Sequence, residues 1–130
     1  MTLAQVLARR RSLGRCGFVP FLVAGDPTLD ATRRFVLWLV GLGADIIELG
    51  IPFSDPVADG PVIQEADARA FKKGATLAKV LALVARLRRD GCQVPIVLFS
   101  YFNPILSMGL EAFADCCAAA DVDGVLVVDL

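Results

Sequence analysis

Gly43-Ala44-Asp45-Ile46-Ile47-Glu48-Leu49 runs from a helix stop straight into a short apolar strand. Val122-Asp123-Gly124-Val125-Leu126-Val127-Val128-Asp129-Leu130 repeats the arrangement. In both places a strand follows a helix and carries an acid near its C-terminal end. Repeated units of this kind imply a parallel sheet joined by crossover helices. The chain between and around them fits. Thr2 to Arg11 reads as a helix with Leu3, Val6 and Leu7 on one face. Phe18 to Ala24 is an apolar strand, and Gly25-Asp26-Pro27-Thr28 is a turn into the next helix. That helix places Phe35, Trp38, Leu39 and Leu42 at the i, i+3, i+4, i+7 spacing and stops at Gly43.

Asp45 to Leu49 forms the second strand, and a loop rich in Gly, Pro and Asp follows from Gly50 to Gly60. Pro61 suits the first turn of a helix. Thr76 caps another, with Leu77, Val80, Leu81, Val84 and Leu87 as its inner face. Pro95 to Tyr101 is the third strand, Leu110, Phe113, Ala114 and Cys117 mark a helical stripe, and Gly124 to Leu130 is the fourth strand. Two architectures share this alternation. A closed eight-fold barrel needs ~250 residues, so four units make about half of one. A small doubly wound open sheet is the other. Periodicity does not separate them.

Composition narrows the class. The chain has 130 residues, 56% hydrophobic and 21% charged, and a mean hydropathy of +0.64. No run approaches the ~18 apolar residues of a spanning helix. The hydropathy is therefore assigned to strands buried on both faces. Leu3, Val6 and Leu7 precede Arg9, Arg10 and Arg11, the reverse of a signal peptide's order, and the basic cluster reads as a solvated helix end. The net charge of −1 suggests neither nucleic acid nor an anionic membrane as partner. Cys16, Cys92, Cys116 and Cys117 form no CxxC pair, and with no histidine present no metal site is expected. They read as reduced, half-buried thiols of a cytoplasmic protein.

The chemistry-bearing candidates are acids. Glu48 sits inside an apolar strand, near the end where barrel enzymes place their sites. Burial there raises a carboxyl pKa and suits it to proton transfer, although a buried glutamate satisfied by backbone donors or an arginine fits the pattern too. Asp59, before Gly60-Pro61, and Asp55, in Ser54-Asp55-Pro56, are each compatible with ordinary turn chemistry. Asp129 shares a face of strand four with Val125 and Val127, and is expected to approach Glu48 across the mouth of the sheet. Phe99 and Tyr101 share a face of strand three, and Phe21 comes from strand one. These aromatics are core, or the walls of an aromatic pocket. Without histidine, proton transfer falls to carboxylates or Tyr101.

The run Glu48-Leu-Gly-Ile-Pro-Phe-Ser-Asp-Pro-Val-Ala-Asp-Gly-Pro61 closely resembles the signature of the tryptophan synthase α chain family. Phe18-Val-Pro-Phe21 with Gly25-Asp26-Pro27, Ile63-Gln64, Arg69-Ala70-Phe71, Tyr101-Phe-Asn-Pro104 and Val125 to Leu130 extend the similarity. The resemblance implies a single partial (β/α) TIM-barrel domain over residues 1–130, the first four of eight βα units. The family is a carbon–carbon lyase of tryptophan biosynthesis. It cleaves indole-3-glycerol phosphate to indole and glyceraldehyde 3-phosphate by a retro-aldol reaction that uses no metal and no cofactor.

By resemblance, Glu48 is the acid/base that protonates indole C3 and deprotonates the glycerol hydroxyl. Asp59 matches the acid that holds the indole N–H. Phe21, Phe99 and Tyr101 match pocket walls, and Asp129 a supporting acid near Glu48. Pro52, Phe53 and Asp55 match the region facing the pyridoxal-phosphate-dependent β subunit of an αββα complex. The family's phosphate cradle belongs to later units, so the 130-residue chain is expected to be inactive alone. The alternative is a non-catalytic half barrel that only binds the β subunit or self-associates.

Overall fold

The computed structural model describes residues 1–130. Its elements run α1 (Leu3–Ser12), β1 (Phe21–Val23), α2 (Leu29–Gly41), β2 (Ile47–Gly50), α3 (Pro61–Lys72), α4 (Leu77–Arg89), β3 (Ile96–Ser100), α5 (Phe102–Met108), α6 (Leu110–Ala120) and β4 (Gly124–Val127). Four strands form one sheet in the order β1-β2-β3-β4, all neighbours parallel. Strands adjacent in sequence are adjacent in space, as in successive units of a barrel, rather than reversing as in a doubly wound sheet. The alternation read from the sequence is therefore present. The strands are shorter than expected, although single backbone hydrogen bonds continue past their ends, as from Asp45 N–H to the Phe18 carbonyl and from Val128 N–H to the Ser100 carbonyl.

The two faces of the sheet differ. Leu22, Leu49, Leu98 and Val125 lie side by side on one face, with Ile47 beside Ile96 one step earlier. Helices cover this face, and Ile47, Leu49, Ile96 and Leu98 are fully buried. Beneath them, α4 turns in Leu77, Val80, Leu81, Leu83, Val84 and Leu87. Thr76 caps α4 as expected, accepting from Lys79 N–H. The other face carries Phe21, Glu48, Val97 and Gly124 in one row, then Val23, Gly50, Phe99 and Leu126. Helix α3 packs over its β1 side, where Ala66 and Ala70 meet Val23 and Ile63 lies beside Phe21.

Helix α2 departs from the expected phase. Its buried positions are Ala31, Thr32 and Val36, whereas Phe35, Trp38 and Leu42 are exposed, Trp38 by 63%. Residues 35–40 are apolar without a break, so periodicity cannot choose which stripe turns inward. Thr32 chooses it. Its hydroxyl accepts from Gly25 N–H at 3.0 Å and donates to the Thr28 carbonyl at 3.0 Å, fixing the roll of the helix against the β1 turn. Gly25 has φ +96°, and a Cβ there would stand 2.6 Å from the Ala75 Cβ, so no other residue fits.

In α6, Phe113, Cys117 and Ala120 face inward, but Leu110 and Ala114 do not. In α1, Val6 is buried and Leu7 is exposed. Arg10 pairs with Asp45 at 2.6 Å, pinning α1 to the N-terminal side of β2, so the basic cluster is not wholly solvated. The cysteines are unpaired, with Cys92 buried, Cys117 half-buried, and Cys16 and Cys116 exposed. The short helix α5 was not expected. Pro104 lies in its first turn, where a proline displaces no helical hydrogen bond.

Leu98→Ala should cost about 2–5 kcal/mol of unfolding free energy, because the side chain is fully buried between helices and sheet. Trp38→Ala should cost under about 0.5 kcal/mol. Urea titrations followed by circular dichroism measure both.

Candidate active site at the strand C-terminal ends

Between this second face of the sheet and α3 lies a cavity of about 360 Å³ lined by Phe21, Glu48, Gly50, Asp59, Asp67, Phe99 and Tyr101 among others. Each residue arrives by a different route. Glu48 sits in β2 with Phe21 and Val97 as its register partners. Nothing in the chain hydrogen-bonds its carboxylate, and burial alone pushes its pKa up. A carboxyl of that kind accepts and returns protons nearer neutrality than a solvated glutamate.

Phe21 and Phe99 meet edge to face, with ring centroids 5.5 Å apart at 77°. Gly50 lets Phe21 lie there, since a Cβ at Gly50 would come within 2.7 Å of the ring. The two rings give the cavity an apolar, aromatic wall beside Glu48, a surface suited to an aromatic ligand.

Asp59 comes from the loop after β2. The Tyr101 hydroxyl donates to Asp59 Oδ2 at 2.9 Å and accepts from Ala58 N–H at 2.9 Å. Gln64 Nε2 donates to the Asp59 carbonyl at 2.9 Å and to the Pro56 carbonyl at 3.3 Å. Loop and carboxylate are therefore both held. Tyr101 is pushed up to about 12, by burial first and then by its bond to Asp59. Its proton is committed to positioning Asp59, which leaves proton transfer to the carboxylates. Phe53 packs on Tyr101 with centroids 5.2 Å apart, and Pro52 is buried while Asp55 is exposed. The loop's surface thus connects to Asp59 through two aromatic rings.

Asp129 goes elsewhere. Its Oδ1 accepts from Phe102 N–H at 2.7 Å, at the start of α5. On β4 the even-numbered residues Gly124 and Leu126 share the Glu48 face, and Val128, not Asp129, lines the cavity. Asp129 lies in the turn after β4, bound to the start of α5 and outside the cavity lining, so the expected approach to Glu48 does not occur.

Asp67 was not anticipated. It lies on α3, 3% exposed, and lines the cavity. Burial and the charge of Asp59 raise its pKa to about 7. The signal was present in the sequence: Ile63, Ala66 and Ala70 mark the inward stripe of α3, and Asp67 falls within it.

Comparison with known proteins shows the family. The family model described as tryptophan synthase alpha chain matches residues 7–130. The chain belongs to that family. It is 54% identical over 123 residues to the tryptophan synthase alpha chain of Laribacter hongkongensis, covering 95% of this chain and 47% of that one. The Synechococcus elongatus protein is 53% identical over 128 residues, covering 98% and 48%. Tryptophan synthase subunit alpha of Legionella pneumophila superposes with a TM-score of 0.94 at 38% identity, covering 98% of this chain and 48% of the other. A chain of the tryptophan synthase complex of Pyrococcus furiosus gives 0.82 at 47% identity, covering 88% and 47%. The chain spans about half the length of the relatives it matches.

Two outcomes follow from the geometry. Tyr101→Phe orphans Ala58 N–H and frees Asp59. It should lower stability by about 1–2 kcal/mol in urea unfolding. Asp67 has a folded pKa raised from 3.8 to about 7. Its contribution is therefore complete below about pH 4 and is lost as pH rises through 7. Asp67→Asn should match wild type near pH 4 and exceed it at pH 8, by up to roughly 4 kcal/mol.

Proposed function

We propose that this chain supplies the catalytic acids of a tryptophan synthase α subunit, which cleaves indole-3-glycerol phosphate to indole and glyceraldehyde 3-phosphate. The observation that carries the reading is the presence of Glu48 and Asp59 in one aromatic-walled cavity at the C-terminal ends of parallel strands. The reaction breaks the bond between indole C3 and the glycerol carbon. C3 must gain a proton, and the adjacent hydroxyl must lose one. Glu48, with an unpartnered carboxyl and a raised pKa, performs both transfers. Protonation at C3 leaves the ring cationic at nitrogen. Asp59, held by Tyr101, accepts the ring N–H and stabilises that charge. Phe21 and Phe99 hold the ring plane.

Every step is a proton transfer or a carbon–carbon cleavage that carboxylates suffice to drive, so the reading calls for no metal or cofactor. Phosphate recognition and the second half of the barrel wall belong, in this reading, to the rest of the fold. Binding groups remote from the reacting bond supply much of the positioning, worth ~7–11 kcal/mol in favourable cases. The partner is a β subunit, met through the loop of Pro52, Phe53 and Asp55. Packing of Phe53 on Tyr101 gives that contact a mechanical route to Asp59. A cytoplasmic setting suits this metabolism and the unpaired cysteines.

The test is indole release from indole-3-glycerol phosphate by the chain mixed with the C-terminal half of one of its relatives. Turnover should appear, and Glu48→Gln should reduce it by about 10²–10⁴-fold. Turnover undiminished by Glu48→Gln would overturn the assignment.

A further inference from the structure

Asp67 is the one acid in the cavity to which the retro-aldol reading gives no task. It projects from α3, one turn after Ile63, into the space it shares with Glu48, Asp59 and Tyr101. It is 3% exposed, yet its oxygens are not sealed away, since no fully buried side-chain oxygen lacks a partner. The hydrogen bonds around the cavity run from Ala58 to Tyr101 to Asp59 and leave Asp67 out.

No cation is at hand for it. Arg69, two residues on, is held by Asp26 through bonds of 2.9 and 2.8 Å. The groups facing Asp67 across the cavity are Asp59 from the loop, Glu48 from β2 and the Tyr101 phenol after β3, and all are acidic. On its own helix the neighbouring charges, Glu65 and Arg69, are exposed. A buried carboxyl beside a second carboxylate, with neither donor nor cation from the chain, is completed by what enters the cavity.

We propose that Asp67 is a specificity-determining residue, forming with Asp59 a carboxyl pair that selects a positively charged bicyclic aromatic ring. The inference rests on the retro-aldol reading and deepens it, because that reaction makes the indole ring cationic when C3 is protonated. Two carboxyls then face the cation. Burial and the charge of Asp59 keep a proton on Asp67 near neutrality. Entry of a cationic ring removes the reason for holding it, and Asp67 releases that proton to solvent.

The 130-residue chain, titrated calorimetrically near pH 6.5, tests this with two ligands. One is indole. The other is 2-aminobenzimidazole, a bicyclic ring that becomes a cation on protonation. Two buffers of different ionisation enthalpy count the protons released. Wild type should prefer the cationic ring by about tenfold, the effect of one added opposite charge, and should release protons on binding it.

Asp67→Asn should lose most of the preference for the cation over indole and release no protons. Asp67→Glu should retain both, and Asp67→Ser stands in for Asn if that variant does not fold. Preference and proton release unchanged in Asp67→Asn would overturn the proposal. Indole binding with no preference for the cation in wild type would overturn it and leave the retro-aldol reading standing. The cation bound without indole would support the carboxyl pair and remove the indole reading. A wild-type chain that bound neither ring would remove both.

Discussion

β2 runs between β1 and β3, and its parallel pairing to both decides where Glu48 points. Phe21, Glu48 and Val97 form one row, while Leu22, Leu49 and Leu98 form the next on the opposite face. A slip of one residue would drive the carboxylate under α4 and lift Leu49 into the cavity. The apolar packing beneath the sheet forbids that. Leu49 and Leu98 are fully buried against helices, and an unpaired carboxylate in their place would meet no donor. The same hydrophobic layer that stabilises the sheet therefore orients the acid on its other side.

The second acid is held differently. Asp59 lies on a loop, where a carboxylate would ordinarily face water. Tyr101 fixes it, its hydroxyl accepting a hydrogen bond from Ala58 N–H and donating one to the carboxylate. Phe53 leans on the Tyr101 ring, and Gln64 clamps the loop carbonyls. The cavity so built is rich in acids and poor in cations. Burial raises Glu48, and burial with like charge raises Asp67. Such a site stores protons near neutrality and answers to positive charge. A ring that becomes cationic as it gains a proton has the matching electrostatics.

Much of this was legible in the sequence. The helix stop at Gly43, the cap at Thr76 and the apolar cores of four strands already dictated the order of elements. Glu48 stood out because a charge interrupted an apolar strand. Asp59 did not stand out chemically, since Asp-Gly-Pro is common turn chemistry, and only its family resemblance singled it out. What failed was phase. Residues 35–40 are apolar all round, so the inward face of α2 depended on Thr32 and the β1 turn, a tertiary fact. Asp129 failed for another reason: β4 ends at Val127, and in the turn after it Asp129 is bound to the start of α5. Asp67 was missed although its place on the apolar stripe of α3 was visible.

The central claim is that one cavity holds an aromatic ring against the wall of Phe21 and Phe99 with its N–H on Asp59. Isotope-edited NMR of the chain with bound indole measures it directly. The account predicts nuclear Overhauser contacts from the indole ring to Phe21, Phe99 and Tyr101, together with a downfield-shifted indole N–H that Asp59→Asn alters. Indole contacts confined to other surfaces, or an N–H resonance indifferent to Asp59, would contradict it.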